Sequence, residues 1–412
     1  MEKKILTINA GSSSLKFSLY NMPEATEIVN GYVEKIGNED SFYTLKYNGQ
    51  KEEKKTVIMN HREAIQIMID ELLKNHFVED LSEIKGIGHR IAHGGEKYKE
   101  SVIIDDGVIE TCKGLTKLAK LHMGSMVDCI NASKEAFPNT KMVAVFDTAF
   151  HQTMPEENYM YAVPYEWYEE NSVRKYGFHG TSHKYITETM QQYLDKPNAN
   201  LIICHIGSGA SISCIKDGQC FDTTMGLTPL DGLIMGTRCG SIDSSIVEYI
   251  CKERNLSMDE VTSILNKKSG LYGIAGKNDF RDVNNLANSG DQKAKLAIKM
   301  FENSIIKYIA QYYFELDGNV DALVFTAGIG ENANNLRADV VNAISNSMGI
   351  YLNSSANDNI GRNKINQAGI ITTDDSKFKV YVVPTDEESM ILKDTCNVIE
   401  KSNKNNKVYK LV

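Results

Sequence analysis

The amino-acid sequence predicts an α/β fold in two domains, and three observations lead there. The chain has 412 residues and is 42% hydrophobic, enough for more than one core. Strand-like apolar runs alternate with helical periodicities along its length. One form, an apolar strand followed by a Gly/Ser-rich turn and a second strand, occurs twice, in "LTINAGSSSLKFSLY" and "ICHIGSGASISCIKDG". Two ordinary hairpins fit that echo. So do two halves of a duplicated nucleotide-binding fold, each offering a glycine-rich turn to a phosphate.

In chain order, the strand-like runs are "KKILTINA", "KFSLYNM", "YTLKYNG", "TKMVAVFDTAF", "NLIICHIGSGASISCI", "VDALVFTAGIG" and "KVYVVPT". Helical candidates lie between them: "HREAIQIMIDELLKNH", "SSIVEYICKERN", "MDEVTSILNKKSG" and "DQKAKLAIKMFENSIIKYIAQYYFEL". The last places apolar residues at i, i+3, i+4 and i+7, a helix with one buried face. Seven prolines and no low-complexity run leave the domain boundary unmarked, and the tail "KSNKNNKVYKLV" reads as a frayed end.

The composition excludes several function classes. A net charge of −9 disfavours nucleic-acid binding, which needs a basic surface. No stretch of eighteen apolar residues calls for a membrane span, and "MEKKILTINA" turns polar too soon for a signal peptide. Eight cysteines without a C-x-x-C pair read as small buried hydrophobes in a reducing compartment, which makes the cytoplasm the simplest address.

Several motifs carry chemistry. In "NAGSSSLK", Gly11 lets successive N–H groups converge on an anion, three hydroxyls add donors and Lys16 adds a point charge. A solvated hairpin turn accounts for the segment equally well, and no Walker A loop occurs. In "GIGHRIAHGGEKY", His89 and His93 stand at metal-ligand spacing, but the flanking glycines disfavour the helix that spacing needs. Arg90 beside a glycine turn suits a phosphate or carboxylate better. Asp147 follows an apolar strand, where α/β enzymes place working residues. His179 and His183 lie in "YGFHGTSH", and Arg238 lies in the Gly-rich "GLTPLDGLIMGTRCGSID". "VFTAGIGENA" is a buried strand running into Gly-x-Gly, a variant dinucleotide fingerprint that lacks an evident acid about 20 residues on.

Together, "NAGSSSLKF", "HRIAHGGE", "FDTAFH", "YGFHGTSH", "MGLTPLDGLIMGTRCGSID", "GENANNLR" and "PTDEE" closely resemble the acetate kinases of the acetate and sugar kinase, Hsc70 and actin superfamily. The resemblance runs from Asn9 to Glu388. It implies two duplicated ribonuclease-H-like (actin-like ATPase) domains with the active site in the cleft between them, and a homodimer. Residues 1–150, joined by 386–412, would form an acyl- and phosphoryl-binding domain, and 151–385 a nucleotide-binding domain.

The reaction so implied is ATP + acetate ⇌ ADP + acetyl phosphate, with propionate kinase or a broad short-chain acyl kinase as the alternative. A carboxylate with a pKa near 4.3, about that of Glu, is already ionised at pH 7 and needs no general base. The obstacle is an anion approaching a polyanion, so positive charge and positioning are required. By the resemblance, Arg90, Arg238, His179 and Asp147 are catalytic. Arg90, Ala92, Leu121, His122, Phe178 and Pro229 would bind the acyl substrate. ATP or ADP would meet Asn9, Ser12, Ser14 and Lys16, together with His205, Gly207, Ser208 and Gly209. Its adenosine would meet Asp279, Phe280, Arg281, Gly328, Ile329, Gly330 and Asn332. Mg²⁺, with Mn²⁺ as a substitute, would be held by Glu387 and Asn9 and helped by Asp147, with Glu388 the alternative register. The chain departs from the family pattern at Met123-Gly124, Ser208 and Ser244, and Ala92 stands where most members carry valine. The space this leaves should admit one more carbon and soften the preference for acetate, making propionate a competent substrate; the alternative is that a neighbouring side chain, Met123 first, fills it.

Overall fold

A computed structural model describes residues 3–117, 123–361 and 368–403. The chain divides into two compact units, one of Met1–Phe150 with Asp386–Val412, the other of His151–Thr385.

The first unit is built on an eight-stranded sheet. Its strands are β1 (Lys3–Ala10), β2 (Ser14–Met22), β3 (Thr26–Glu34), β4 (Phe42–Tyr47), β5 (Gln50–Lys55), β6 (Ile84–Ile91), β7 (Val102–Ile103) and β8 (Lys141–Phe146), in the order β5-β4-β3-β2-β1-β6-β8-β7. From β1 to β5 the strands form an antiparallel meander, while β1, β6 and β8 run parallel. The second unit holds β9 (Leu201–Ile206), β10 (Ala210–Lys216), β11 (Gln219–Thr223), β12 (Ala322–Thr326), β13 (Gly369–Ile370) and β14 (Lys379–Val382), in the order β11-β10-β9-β12-β14-β13.

The two sheets share one topology. β9, β10 and β11 repeat the antiparallel meander of β1, β2 and β3, and β9, β12 and β14 repeat the parallel run of β1, β6 and β8. The echo read in the sequence is therefore a duplication, and the turn after β1 corresponds to the turn after β9. Because parallel neighbours must be reached by crossovers, helices cover the faces and the middles of those strands are largely apolar. All six residues of β9 and all five of β12 are buried. β5 was not evident from "QKEEKK", which has no apolar residue. It forms because it pairs with β4 at the sheet edge, where lysines discourage further pairing.

The helix Glu387–Ser402 returns to the first unit and covers β1, β6 and β8 with Ile391, Leu392, Thr395 and Cys396. Gly86 and Gly88 of β6 make this approach possible: a side-chain carbon at Gly86 would overlap Ile399, and one at Gly88 would overlap Thr395. Asp386 caps the helix by accepting from the Ser389 N–H at 3.0 Å. Two acids, Glu387 and Glu388, fall in its first turn, where the helix dipole favours negative charge. The packing of this helix thus decides where both carboxylates stand.

Candidate active site

In the first unit, functional side chains gather at the C-terminal ends of the three parallel strands. Asn9 pairs with Arg90 in the β1–β6 register, and the Asp147 N–H donates to the Ile91 carbonyl at 2.9 Å, just past β8. Strand ends suit this purpose because their ladder bonding has run out while their positions stay fixed. Arg90 donates from Nε and Nη2 to the two oxygens of Asp147, at 2.9 and 2.7 Å, a bidentate fork. Its Nη1 reaches Asn9 Oδ1 at 3.2 Å and lies 3.4 Å from a Glu387 oxygen. Burial works against the Arg90 charge, but Asp147 and Glu387 outweigh it and raise the guanidinium pKa.

Glu387 and Glu388 are distinguished by their partners. Glu388 forms an ion pair with Lys16, so Lys16 is not the uncommitted point charge expected of the "GSSSLK" turn. Burial opposes the Lys16 charge, and Glu388 overcomes it and raises the lysine pKa. Glu387 instead faces Arg90 and Asp147, and burial raises its carboxyl pKa against the pull of Arg90. Among the described residues, no group of three or more His, Cys, Asp or Glu side chains is placed to hold a metal ion. Ser12 and Ser14 are exposed in a turn closed by Gly11 N–H donating to the Ser14 carbonyl at 2.8 Å. Buried His61 braces that turn through Gly11 O at 2.8 Å, a role that nothing in "NHREA" suggested.

Ala92, just past β6, is buried, and its N–H points at the Met126 sulfur at 3.2 Å. Met126 thus stands against Ala92, and Met123 is buried in the same core cluster. Leu121 and His122 lie outside the described residues. His89 and His93 are buried beside the strand and kept neutral, burial lowering them to about 3 and about 4.

In the second unit, the Gly207–Gly209 turn between β9 and β10 is closed by Gly207 N–H donating to Gly209 O at 3.1 Å. Gly209 marks a point of convergence: a side-chain carbon there would stand 3.4 Å from His179 Nε2 and 3.5 Å from Arg238 Nη1. Arg238 donates from Nη1 to the Pro229 carbonyl at 3.2 Å. Among the described residues it has no carboxylate partner, and burial lowers its pKa. His179 holds a left-handed conformation, φ 57°, at the start of the helix Gly180–Tyr193, a strain that aims its ring. It stacks on His205 of β9 with ring centres 4.2 Å apart. His205 occupies the position in β9 that Asn9 occupies in β1, next to last, and bonds Ser182 Oγ at 2.8 Å. Phe178 is a core residue whose carbonyl meets His151 Nε2 at 2.9 Å.

A cavity of about 870 Å³ brings together Gly207, Ser208, Asp279, Phe280, Arg281, Gly328, Ile329 and Asn332. Asn278, Asn284, Asn285, Asn334 and Asn335 also line it, and motif reading missed them because single asparagines carry no spacing signal. Asp279 caps the helix Phe280–Asn288, and its hydrogen bond from Arg281 lowers it to about 2. The "GIGEN" segment belongs to a short helix, Ala327–Asn332, rather than to the end of the strand, which stops at Thr326. Gly330 does not line the cavity, and its carbonyl accepts from Arg337 at 2.9 Å. Fully buried Arg337 also holds the Glu331, Asn357 and Ile360 carbonyls, fixing the cavity wall.

Chemically, the first unit offers a carboxylate-rich, oxygen-lined strand edge around one arginine. The second offers an arginine with no carboxylate partner among the described residues, converging with an imidazole on a glycine turn, and a polar cavity.

Comparison with known proteins agrees with this inventory. The acetokinase family model matches residues 4–393. The chain is similar to an acetate kinase of Clostridium novyi (strain NT), 46% identical over 405 residues, covering 97% of this chain and 99% of the relative. Among solved structures it is similar to a propionate kinase from Francisella tularensis subsp. tularensis SCHU S4, at 41% identity and a TM-score of 0.90, covering 96% of this chain and all of the other. It is also similar to Porphyromonas gingivalis acetate kinase, at 37% identity and a TM-score of 0.89, with the same coverage.

Proposed function

The chain belongs to the acetokinase family, and from that premise we propose that it phosphorylates acetate with ATP, reversibly, giving acetyl phosphate and ADP. An acetate oxygen forms a bond to the γ-phosphorus as the bond to the β,γ-bridging oxygen breaks, and ADP leaves. The observation that carries this reading is Arg238, a half-buried guanidinium with no carboxylate partner among the described residues, set beside His179 at the Gly209 turn. A cation held without a counterion is a site for an anionic ligand.

Magnitudes favour this use of charge. Two unit charges about 4 Å apart repel by about 4 kcal/mol at an effective dielectric constant near 20. An acetate meeting a triphosphate faces several such terms, so cationic donors matter more than a base. We assign Arg90 to the carboxylate, with Ala92, Phe178 and Pro229 as apolar neighbours of the methyl group. Arg238 and His179 are assigned to the transferring phosphoryl oxygens, and the Gly207–Gly209 turn to the remaining phosphates. The polar cavity of the second unit suits adenosine in size and in its amide lining.

Glu387, Asp147 and Asn9 present the hard oxygen donors that suit Mg²⁺ or Mn²⁺, an ion that commonly takes one or two carboxylates and completes its shell with water and phosphate. Glu387 fits best, because Lys16 already occupies Glu388 while burial leaves the Glu387 charge under-compensated. When bound, the ion neutralises phosphate charge.

A homodimer fits one surface. The helix Ser245–Arg254 has no buried residue, yet Ile242, Ile246 and Tyr249 present apolar side chains, Tyr249 being 62% exposed. A second copy covering them is the simplest partner. Among the described residues no helix is long and apolar enough to cross a membrane. The eight free cysteines fit a reducing compartment, and we place the enzyme in the cytoplasm.

Three outcomes are expected. Acyl phosphate trapped as hydroxamate should form only when acid is supplied, with acetate ahead of propionate by about tenfold or more, the usual value of one methylene in a pocket; ATP turnover unaffected by acetate would sink the assignment. In a magnesium titration, Glu387→Ala should need far more metal and lose on the order of 10²-fold in kcat, and a Glu388→Ala variant that suffers alone would move the ligand by one residue. Light scattering should give twice 46.0 kDa, with Tyr249→Asp shifting mass toward the single chain; an unchanged mass would place the interface elsewhere.

A further inference from the structure

A buried polar network stands behind His179. His179 Nδ1 lies 2.9 Å from Ser211 Oγ, and the same oxygen lies 2.8 Å from His183 Nε2. Ser211 and His183 are fully buried. His183 stands one helical turn after His179, so both rings reach the same hydroxyl. Ser211 belongs to β10, opposite His205, on which His179 stacks.

The protons can be counted. A serine hydroxyl has one hydrogen to donate and lone pairs to accept with. His183 is neutral, because burial, with His151 and His205 nearby, pushes its pKa well below the usual value. Its Nδ1 has no hydrogen-bond partner among the described residues. A neutral imidazole carries one N–H, and a buried N–H without an acceptor is rarer and costlier than an idle lone pair. The His183 proton therefore sits on Nε2 and is donated to Ser211 Oγ. The Ser211 hydrogen is then directed to His179 Nδ1, which must accept it. The His179 proton is left on Nε2, the nitrogen that converges with Arg238 on Gly209.

We propose that Ser211, oriented by His183, is a positioning residue that locks His179 in the Nε2–H tautomer, so that a neutral imidazole presents a donor rather than a lone pair to a phosphoryl oxygen. The opposite chain of donors would put a lone pair against an anion and repel it. The proposal rests on the assignment of His179 to the phosphoryl group, and its test keeps the two apart.

The test uses the full-length protein labelled with ¹⁵N-histidine, the His179 signals being identified by their loss in His179→Gln. In the wild type at neutral pH, Nδ1 should appear unprotonated and Nε2 protonated, and Ser211→Ala should mix the two forms. The same variant should lose about 10- to 100-fold in kcat, the usual cost of removing a group that orients a working histidine, with KM for both substrates within about twofold. Ser211→Thr, which keeps the hydroxyl, should recover most of the rate. A wild-type His179 protonated on Nδ1, or a Ser211→Ala variant with kcat within about twofold of wild type, overturns the proposal. A normal kcat in His179→Gln overturns the phosphoryl assignment instead, and the tautomer signature still reports on the network.

Discussion

A guanidinium without a counterion is costly to hold inside a protein, and among the described residues Arg238 has none. It donates to the Pro229 carbonyl, approaches the Met235 sulfur and converges with His179 on Gly209, and none of these groups carries a full negative charge. Arg90 is in the opposite situation. Asp147 takes it in a bidentate fork and Glu387 stands 3.4 Å away. Truncating Arg90 would take the bidentate donor from the buried Asp147 carboxylate, and breaking a buried pair of this kind costs about 3–5 kcal/mol. Truncating Arg238 takes a donor from the Pro229 carbonyl and strands no carboxylate among the described residues. The first arginine belongs to the architecture as well as to the site. In the proposed reaction the second is charge held for a ligand, the arrangement expected where stability is given up for preorganised electrostatics.

The fold supplies both situations through one device used twice. Each sheet is a meander extended by parallel strands, and each places a glycine turn after its first strand. In the first unit the adjoining strand ends bear Asn9, Arg90 and Asp147, and in the second they bear His205 and Thr326. Duplication gave two equivalent strand edges, and divergence made one acidic and oxygen-rich and the other imidazole-rich. The returning helix Glu387–Ser402 adds two carboxylates to the first edge only, and Gly86 and Gly88 set how closely it can approach.

Much of this was legible in the sequence. The apolar strands announced themselves by length and burial, and Arg90, Asp147 and the glycine turns stood where strand-end chemistry is expected. The adenosine-sized cavity collects most of the residues that the family resemblance pointed to. What was not legible depends on contacts between distant segments. Lys16 looked like a free cation until Glu388, 372 residues on, was seen to occupy it. The helix at "GIGEN" is carried by Arg337, whose hydrogen bonds to its carbonyls outweigh the poor helix propensity of two glycines. Ser211 carried a faint signal, a hydroxyl in a strand buried on both faces, but its partners lie on another element.

The account stands or falls on Arg238. The decisive measurement is kcat, ADP affinity and thermal stability for Arg238→Ala side by side. The proposed anion-binding role, with only the Pro229 carbonyl and the Met235 sulfur as neighbours to lose, predicts a loss on the order of 10²–10³ in kcat, as for other donors to developing charge. It also predicts ADP affinity near that of the wild type and a melting temperature that does not fall. A variant that turns over normally, or one that melts early while keeping its rate, would show that Arg238 is a structural residue and contradict the account.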